Sequence, residues 1–249
     1  MALHAGQPSL ATLFPMALLA VAGAAVRAHR PGLVRRLGHG LFVVTALGLA
    51  LHLWPGFNSA SIMPEGASSP GAQPFITHLN LDKPLIGLWL LLACPWLFQR
   101  AIDSSWRRSL SIALGTSTLC LTLACVMGVT AWAPKWPDYA WLWLANNLLL
   151  VVITEELLFR GYLQGALQSA LQHRCHNRAL GRILPIAITA LLFGLAHAGG
   201  GWAWVMLAGL AGVGYGLAWN QGGPWAAIGA HFLLNLVHFS LFAYPMLNR

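Results

Sequence analysis

Charge is what this chain has least of. Lys, Arg, Asp and Glu together make up 8% of 249 residues, and only 6 residues are acidic. Soluble domains carry about 25% charged residues, so a chain this poor in charge cannot clothe a water-facing surface. The scarcity also excludes nucleic acid as a partner. The net charge of +8 is scattered over short loops, with no Lys/Arg run long enough to follow a phosphate backbone. Cysteine is scarce as well. Cys94, Cys120 and Cys125 fall in apolar runs and Cys175 in a basic loop, so there is no disulfide framework and no CxxC metal site. The apolar runs show no period-two alternation, so helices are the only sensible way to satisfy their backbone groups in lipid. The N-terminus has an apolar core but no basic stretch before it. It reads as an uncleaved first span, the alternative being a signal peptide ending near Ala22–Ala25. No internal repeat and no soluble domain is visible.

What the chain has in excess is apolar sequence: 57% hydrophobic residues, a mean hydropathy of +0.65 and 12 tryptophans, which favour membrane–water interfaces. The fold class is therefore all-α, a polytopic membrane bundle of about eight transmembrane helices, forming a single membrane-embedded domain over residues 1–249. The spans are expected near Leu10–Val26, Leu37–Trp54, Pro84–Phe98, Ser109–Trp132, Tyr139–Gln164, Ile183–His197, Trp202–Trp219 and Trp225–Tyr244. Arginines collect in the first, third and fifth loops, while the second and fourth carry only Lys83 and Lys135. The positive-inside rule places the Arg-rich loops in the cytoplasm and both termini outside. The long second loop, rich in Gly, Pro and Ser, reads as irregular and external. Gly212 and Gly216, with Ala208 before them, form a small-residue stripe that suits close packing inside the bundle, or else a dimer face.

Against this background the stretch ITEELLFRGYLQG (Ile153–Gly165) is anomalous, with Glu155, Glu156 and Arg160 inside an apolar run. A charge at the bilayer centre costs about 2.5–3.5 kcal/mol on insertion scales. Glu156 and Arg160 are spaced i,i+4 and can pair on one helix face, which suits a structural clamp. Glu155 points about 100° away and needs another partner or a wet pocket. Two later runs supply candidates. LLFGLAHAGGG carries Phe193 and His197, and GAHFLLNLVHF carries His231 and Asn235 on one face, with His238 a further seven residues beyond His231. A lone membrane histidine is more often a hydrogen-bonded packing residue than a ligand, and His52, His238 and Cys94 are read that way. The loop QHRCHNR (His173, Cys175, His176) lacks the second ligand cluster that a metal site needs.

A carboxylate beside an imidazole can activate a water, and a His and an Asn on one face can donate to an oxyanion. These are the parts for amide hydrolysis. No GxSxG elbow and no HExxH occurs, which removes a serine-hydrolase elbow and a thermolysin-like zinc site.

EELLFR (Glu155–Arg160), FGLAH (Phe193–His197) and HFLLN (His231–Asn235) together resemble the three ordered motifs EExxxR, FxxxH and HxxxN of the CPBP family. That family joins CAAX prenyl proteases and bacteriocin-processing enzymes and is also called Abi. The match covers roughly the C-terminal 110 residues, and 139–244 would be the catalytic core. The resemblance implies an intramembrane glutamate-type endopeptidase. Glu155 would be the general base, assisted by His197, with His231 and Asn235 as oxyanion hole. Glu156, Arg160 and Phe193 would be supporting residues. No cofactor is expected; were a metal such as zinc bound, Glu155, His197 and His231 would hold it. The expected partners are the lipid bilayer and a membrane protein or lipidated peptide substrate, and the oligomeric state is open. The expected location is a bacterial inner membrane, with the active-site cavity opening toward the cytoplasm. A non-catalytic scaffold or immunity protein of the same fold, and a proton-coupled transporter, are the competing readings. Depth arithmetic leaves one tension. At 1.5 Å per residue Glu155 and His231 fall near the cytoplasmic side, whereas His197 lies about 21 Å from Arg182.

Overall fold

The computed structural model describes residues 9–58, 60–61, 66–75, 78–98, 106–172, 177 and 179–248. Helices dominate: α1 (Leu13–Ala25), α2 (Gly32–Ala50), α3 (Asp82–Ala93), α4 (Trp106–Val126), α5 (Ala140–Leu171), α6 (Leu180–Ala196) and α7 (Trp202–Leu241). The fold is an all-α membrane bundle. Four of the helices, α2, α4, α5 and α7, are long and apolar enough to cross a membrane.

The expectation of about eight separate spans is corrected in two places. At 1.5 Å per residue, the 12 residues of α3 reach only about 18 Å, short of a bilayer core. Its C-terminus gives way at Cys94 to a 3-10 turn, Pro95–Leu97, because Pro95 has no N–H with which to continue the helix. The seventh and eighth expected spans are the limbs of one run, α7, which folds back at Gly223. Gly223 sits at φ 66°, ψ −152°, a region open essentially to glycine alone. Pro224 then begins the second limb, where its missing N–H and fixed φ are tolerated. The two limbs lie side by side: Tyr215 and His231 stack at 4.5 Å, and Trp204 lies 6.2 Å from His238. A straight helix would hold Tyr215 and His231 about 24 Å apart.

Residues 202–222 run antiparallel to α4, with Gly214 against Thr116 and Gly222 against Ser109. The same limb packs on α6, where Gly194 meets the Val205 carbonyl and Gly212 meets Ala190. The small-residue stripe is thus used inside the bundle. A second layer, α1, α2 and α3, packs on α5 through Leu19, Phe42, Leu49, Trp89, Leu90 and Leu157. The second loop forms two short antiparallel pairs, Ala60–Ser61 with His78–Leu79 and Gly66–Ala67 with Pro74–Phe75.

The second loop, the fourth loop and the C-terminus meet at one end. Ala72 bridges Leu247, Trp132 bridges Phe242, and Lys135 N–H donates to the Ser240 carbonyl. The alternation of basic and non-basic loops in the sequence therefore corresponds to two opposite ends of the bundle.

Candidate active site

The site is built on α5, which is not a regular α-helix. Residues Asn147–Val152 and Leu157–Gln164 form wide π turns on either side of the α-helical Ile153–Glu156. Such turns recur at functional sites. In an α-helix each i,i+4 step rotates by about 40°, so a row of four would wind away from its neighbour. The wider turn lessens that drift and keeps Glu156, Arg160, Gln164 and Gln168 facing the first limb of α7. There Arg160 Nη2 donates to the Gly212 carbonyl at 3.3 Å, and Gln164 Nε2 to the Gly216 carbonyl at 3.2 Å. Gln164 and Gln168 also donate to Asn220 Oδ1. Glycine is required at this seam. A Cβ at Gly216 would lie 2.8 Å from Gln164 Oε1, and one at Gly212 3.1 Å from Arg160 Nη2.

The i,i+4 pair is present and fully buried, with Arg160 Nη1 3.1 Å from Glu156 Oε1. It is not an isolated clamp. The same Oε1 receives His231 Nδ1 at 2.8 Å. The sequence reading directed His231 toward Glu155; the structure pairs it with Glu156. Phe193 is the hub around which this charged group packs. Its ring lies 4.2 Å from the Arg160 guanidinium and within 6 Å of Phe159, His197 and His231. A guanidinium over an aromatic face gains more when desolvated, which offsets part of the cost of burying it. Tyr215 stacks on His231 at an interplanar angle of 12° and packs edge-on against Phe193 at 6.0 Å.

His197 caps α6, and its Nδ1 lies 2.8 Å from the Phe193 carbonyl. A carbonyl only accepts, so Nδ1 carries the proton and Nε2 of the neutral ring carries the lone pair. Gly201, at φ 87°, makes the turn that leads from this cap into α7. Asn235 Nδ2 donates to Asn147 Oδ1 at 3.2 Å, which leaves its second amide hydrogen uncommitted to that bond. His197, His231 and Asn235, from two helices, line a single cavity of about 80 Å³, together with Phe193, Tyr215 and Cys120. A cavity of that size holds a few waters.

Glu155 is half-buried, one turn before Phe159 on α5. Its Oε2 is buried without a hydrogen-bond partner, and no ion pair to it is found among the described residues. It is not among the residues that line the cavity. The cavity extends from His231 toward Ala124, Val129, Trp204 and His238, away from the Arg-rich loops. The depth of His197 agrees with that direction, and the depth of Glu155 with an opening toward the cytoplasm.

Asn147, Gln164, Gln168, Tyr215 and Asn220 were missed by sequence reasoning. Only the i,i+4 row of α5 amides offered a signal. His238, read as a packing residue, stands in the cavity wall. His52 pairs with the buried Asp82, and Cys94 is core. The QHRCHNR loop (173–176, 178) lies outside the described residues. No three His, Cys, Asp or Glu side chains converge as a ligand set among the described residues. The conditional zinc set of Glu155, His197 and His231 does not assemble, and no step is routed through a metal.

An all-α membrane bundle with a buried Glu–Arg–His cluster beside a small, mostly apolar cavity that three histidines and an asparagine also line defines the class. Residues 136–237 match the family described as type II CAAX prenyl endopeptidase Rce1-like, consistent with the CAAX protease (CPBP) resemblance of the three motifs. The match points to an intramembrane protease. No curated protein and no solved structure matches the chain.

Proposed function

We propose that the chain is a glutamate-type intramembrane endopeptidase that cleaves a membrane-associated peptide or protein. The observation that carries this reading is the convergence of His197, His231 and Asn235 on one cavity, near a carboxylate whose buried oxygen has no partner.

Glu155 takes a proton from a water, and the Nε2 lone pair of His197 accepts the second hydrogen of that water. The water oxygen bonds to the scissile carbonyl carbon. The oxyanion then takes hydrogen bonds from the free amide hydrogen of Asn235 and from His231 Nε2–H. Because Nδ1–H of His231 is committed to Glu156, donation from Nε2 requires the doubly protonated ring. Glu156 and the Tyr215 face are suited to hold that cation. The C–N bond breaks, the proton on Glu155 passes to the leaving amine, and the second hydrogen of the water then passes from the new carboxylic acid to that amine, so the products are a carboxylate and an ammonium. Donors of this kind contribute about 10²–10³ in kcat each. The proposed location is a bacterial inner membrane, with the Arg-rich loops on the cytoplasmic side.

One observation favours a non-catalytic member that keeps the fold: Glu155 does not line the cavity. Purified protein assayed on an internally quenched peptide ending in a farnesylated CAAX sequence separates the two. Cleavage by wild type that is lost in Glu155→Gln and in His197→Ala supports the enzyme. Cleavage that persists in both variants overturns the mechanism, and activity that disappears with a strong chelator overturns its metal-free form.

A further inference from the structure

The cavity wall beyond Asn235 carries two polar atoms that the mechanism does not use. Trp204 Nε1 and His238 Nε2 are both buried, and neither has a hydrogen-bond partner. Both residues line the cavity that His197, His231 and Asn235 line, and their rings lie 6.2 Å apart. A buried donor or acceptor left unpaired forfeits its hydration without replacement, so two in one small cavity need an explanation.

Their chemistry is complementary. The indole Nε1–H of Trp204 only donates. The backbone of Ala243 lies beside the His238 ring and favours a proton on the nitrogen facing it. Nε2 has no partner, so Nδ1 is that nitrogen, and Nε2 of the neutral ring is an acceptor. One orphaned donor and one orphaned acceptor side by side match a peptide unit, which offers one carbonyl and one N–H.

Both rings are held in place. A Cβ at Gly200 would lie 2.6 Å from the Trp204 ring, so the turn before α7 is packed directly on the indole. His238 is 8% exposed, and its ring lies 5.2 Å from that of Tyr244. The register is suitable too. His238 follows Asn235 by three residues, about 4.5 Å of helix rise, while an extended peptide advances about 3.3 Å per residue. A peptide bond held at the oxyanion donors of Asn235 thus places its next or next-but-one amide at this pair.

We infer that Trp204 and His238 form a backbone-amide subsite, gripping one peptide unit adjacent to the scissile bond. Trp204 donates to its carbonyl and His238 accepts its N–H. The inference rests on the cavity being the peptide site. It implies selection for an extended backbone with a free N–H at one position, whatever the side chains.

The test is binding of the farnesylated CAAX peptide to the Glu155→Gln protein, with Trp204→Phe and His238→Phe added singly. Each added change is expected to weaken binding about three- to tenfold, the loss of one neutral hydrogen bond. An amide-to-ester replacement scanned along the peptide is expected to weaken binding at one position. That effect should vanish in His238→Phe and persist in Trp204→Phe. Unchanged binding in both variants would mean that the two atoms share a resident water, and the proposal falls. Absence of peptide binding by any form overturns it as well. If wild type fails to cleave but the ester effect still depends on His238, the subsite stands and the hydrolase reading is what fails.

Discussion

His231 and Glu156, 75 residues apart in the chain, meet at 2.8 Å on the carboxylate oxygen that also receives Arg160. One buried acceptor thus ties the second limb of α7 to α5 and to the guanidinium that binds the first limb through the Gly212 carbonyl. The motif that looks like a local helix pair is a three-way junction, and it fixes the ring expected to face the substrate.

Removing the junction should therefore cost stability. Glu156→Ala leaves Arg160 buried and unpaired, and breaking such a pair costs about 3–5 kcal/mol. The detergent-solubilised variant should unfold at markedly lower temperature than wild type. An unchanged Tm would mean that the pair is not a structural tie.

Glu155 and Glu156 should separate by phenotype. Glu155→Gln is expected to lower cleavage of the quenched peptide by about 10²–10⁴-fold, the range for general-base catalysis, with Tm within a degree or so of wild type. Glu156→Gln is expected to lower both. If the two exchange phenotypes, Glu156 is the base.

The α5–α7 seam tolerates no side chain. Gly216→Val places Cβ against Gln164 Oε1 and within 3.0 Å of Ile186, and overpacking of this kind costs about 1–3 kcal/mol. Thermal unfolding of that variant beside Gly115→Val, where a Cβ meets nothing within 4 Å, isolates the packing effect.

Gly223→Ala should open the α7 hairpin. Its positive φ costs a residue with a Cβ about 1–3 kcal/mol. A spin-label pair placed at Leu217 and Ala230, on the two limbs, should report a broader or longer distance distribution than in the glycine protein. An identical distribution would show that the turn does not depend on glycine.

Lys135 gives a pH signature outside the spans. Its ammonium donates to the Phe242 carbonyl and lies 5.9 Å from the Phe239 ring, and burial lowers its pKa from 10.5 to about 8. Between those two values the unfolded chain holds the proton and the folded chain does not. Stability from this group should therefore rise with pH from about 8 toward 10.5. Unfolding midpoints measured from pH 7 to 9.5 should climb in wild type and flatten in Lys135→Met.

The membrane class, the helical architecture and the position of most helices were legible because hydropathy is a local property, summed over a stretch of chain. The Glu156–Arg160 pair was legible for the same reason, since i,i+4 geometry is set within one helix. The α7 hairpin was half visible: both apolar limbs could be read, but not that a single glycine and proline would join them without a loop. The roles of Asn147, Gln164 and Asn220 could not be read at all. Polar amides in an apolar run carry no sign of which carbonyl or amide on another helix will satisfy them.

By itself the sequence determined that this chain lies in a membrane, that its basic loops share one end, and that two carboxylates, an arginine, two histidines and an asparagine occupy its apolar runs. Only tertiary structure decided which carboxylate His231 would meet, where His197 would point its lone pair, and that His238 and Trp204 would share a cavity wall. Those outcomes depend on the phase of π turns in α5 and on the fold-back at Gly223. A change of a few tens of degrees in either would direct the same side chains to different partners.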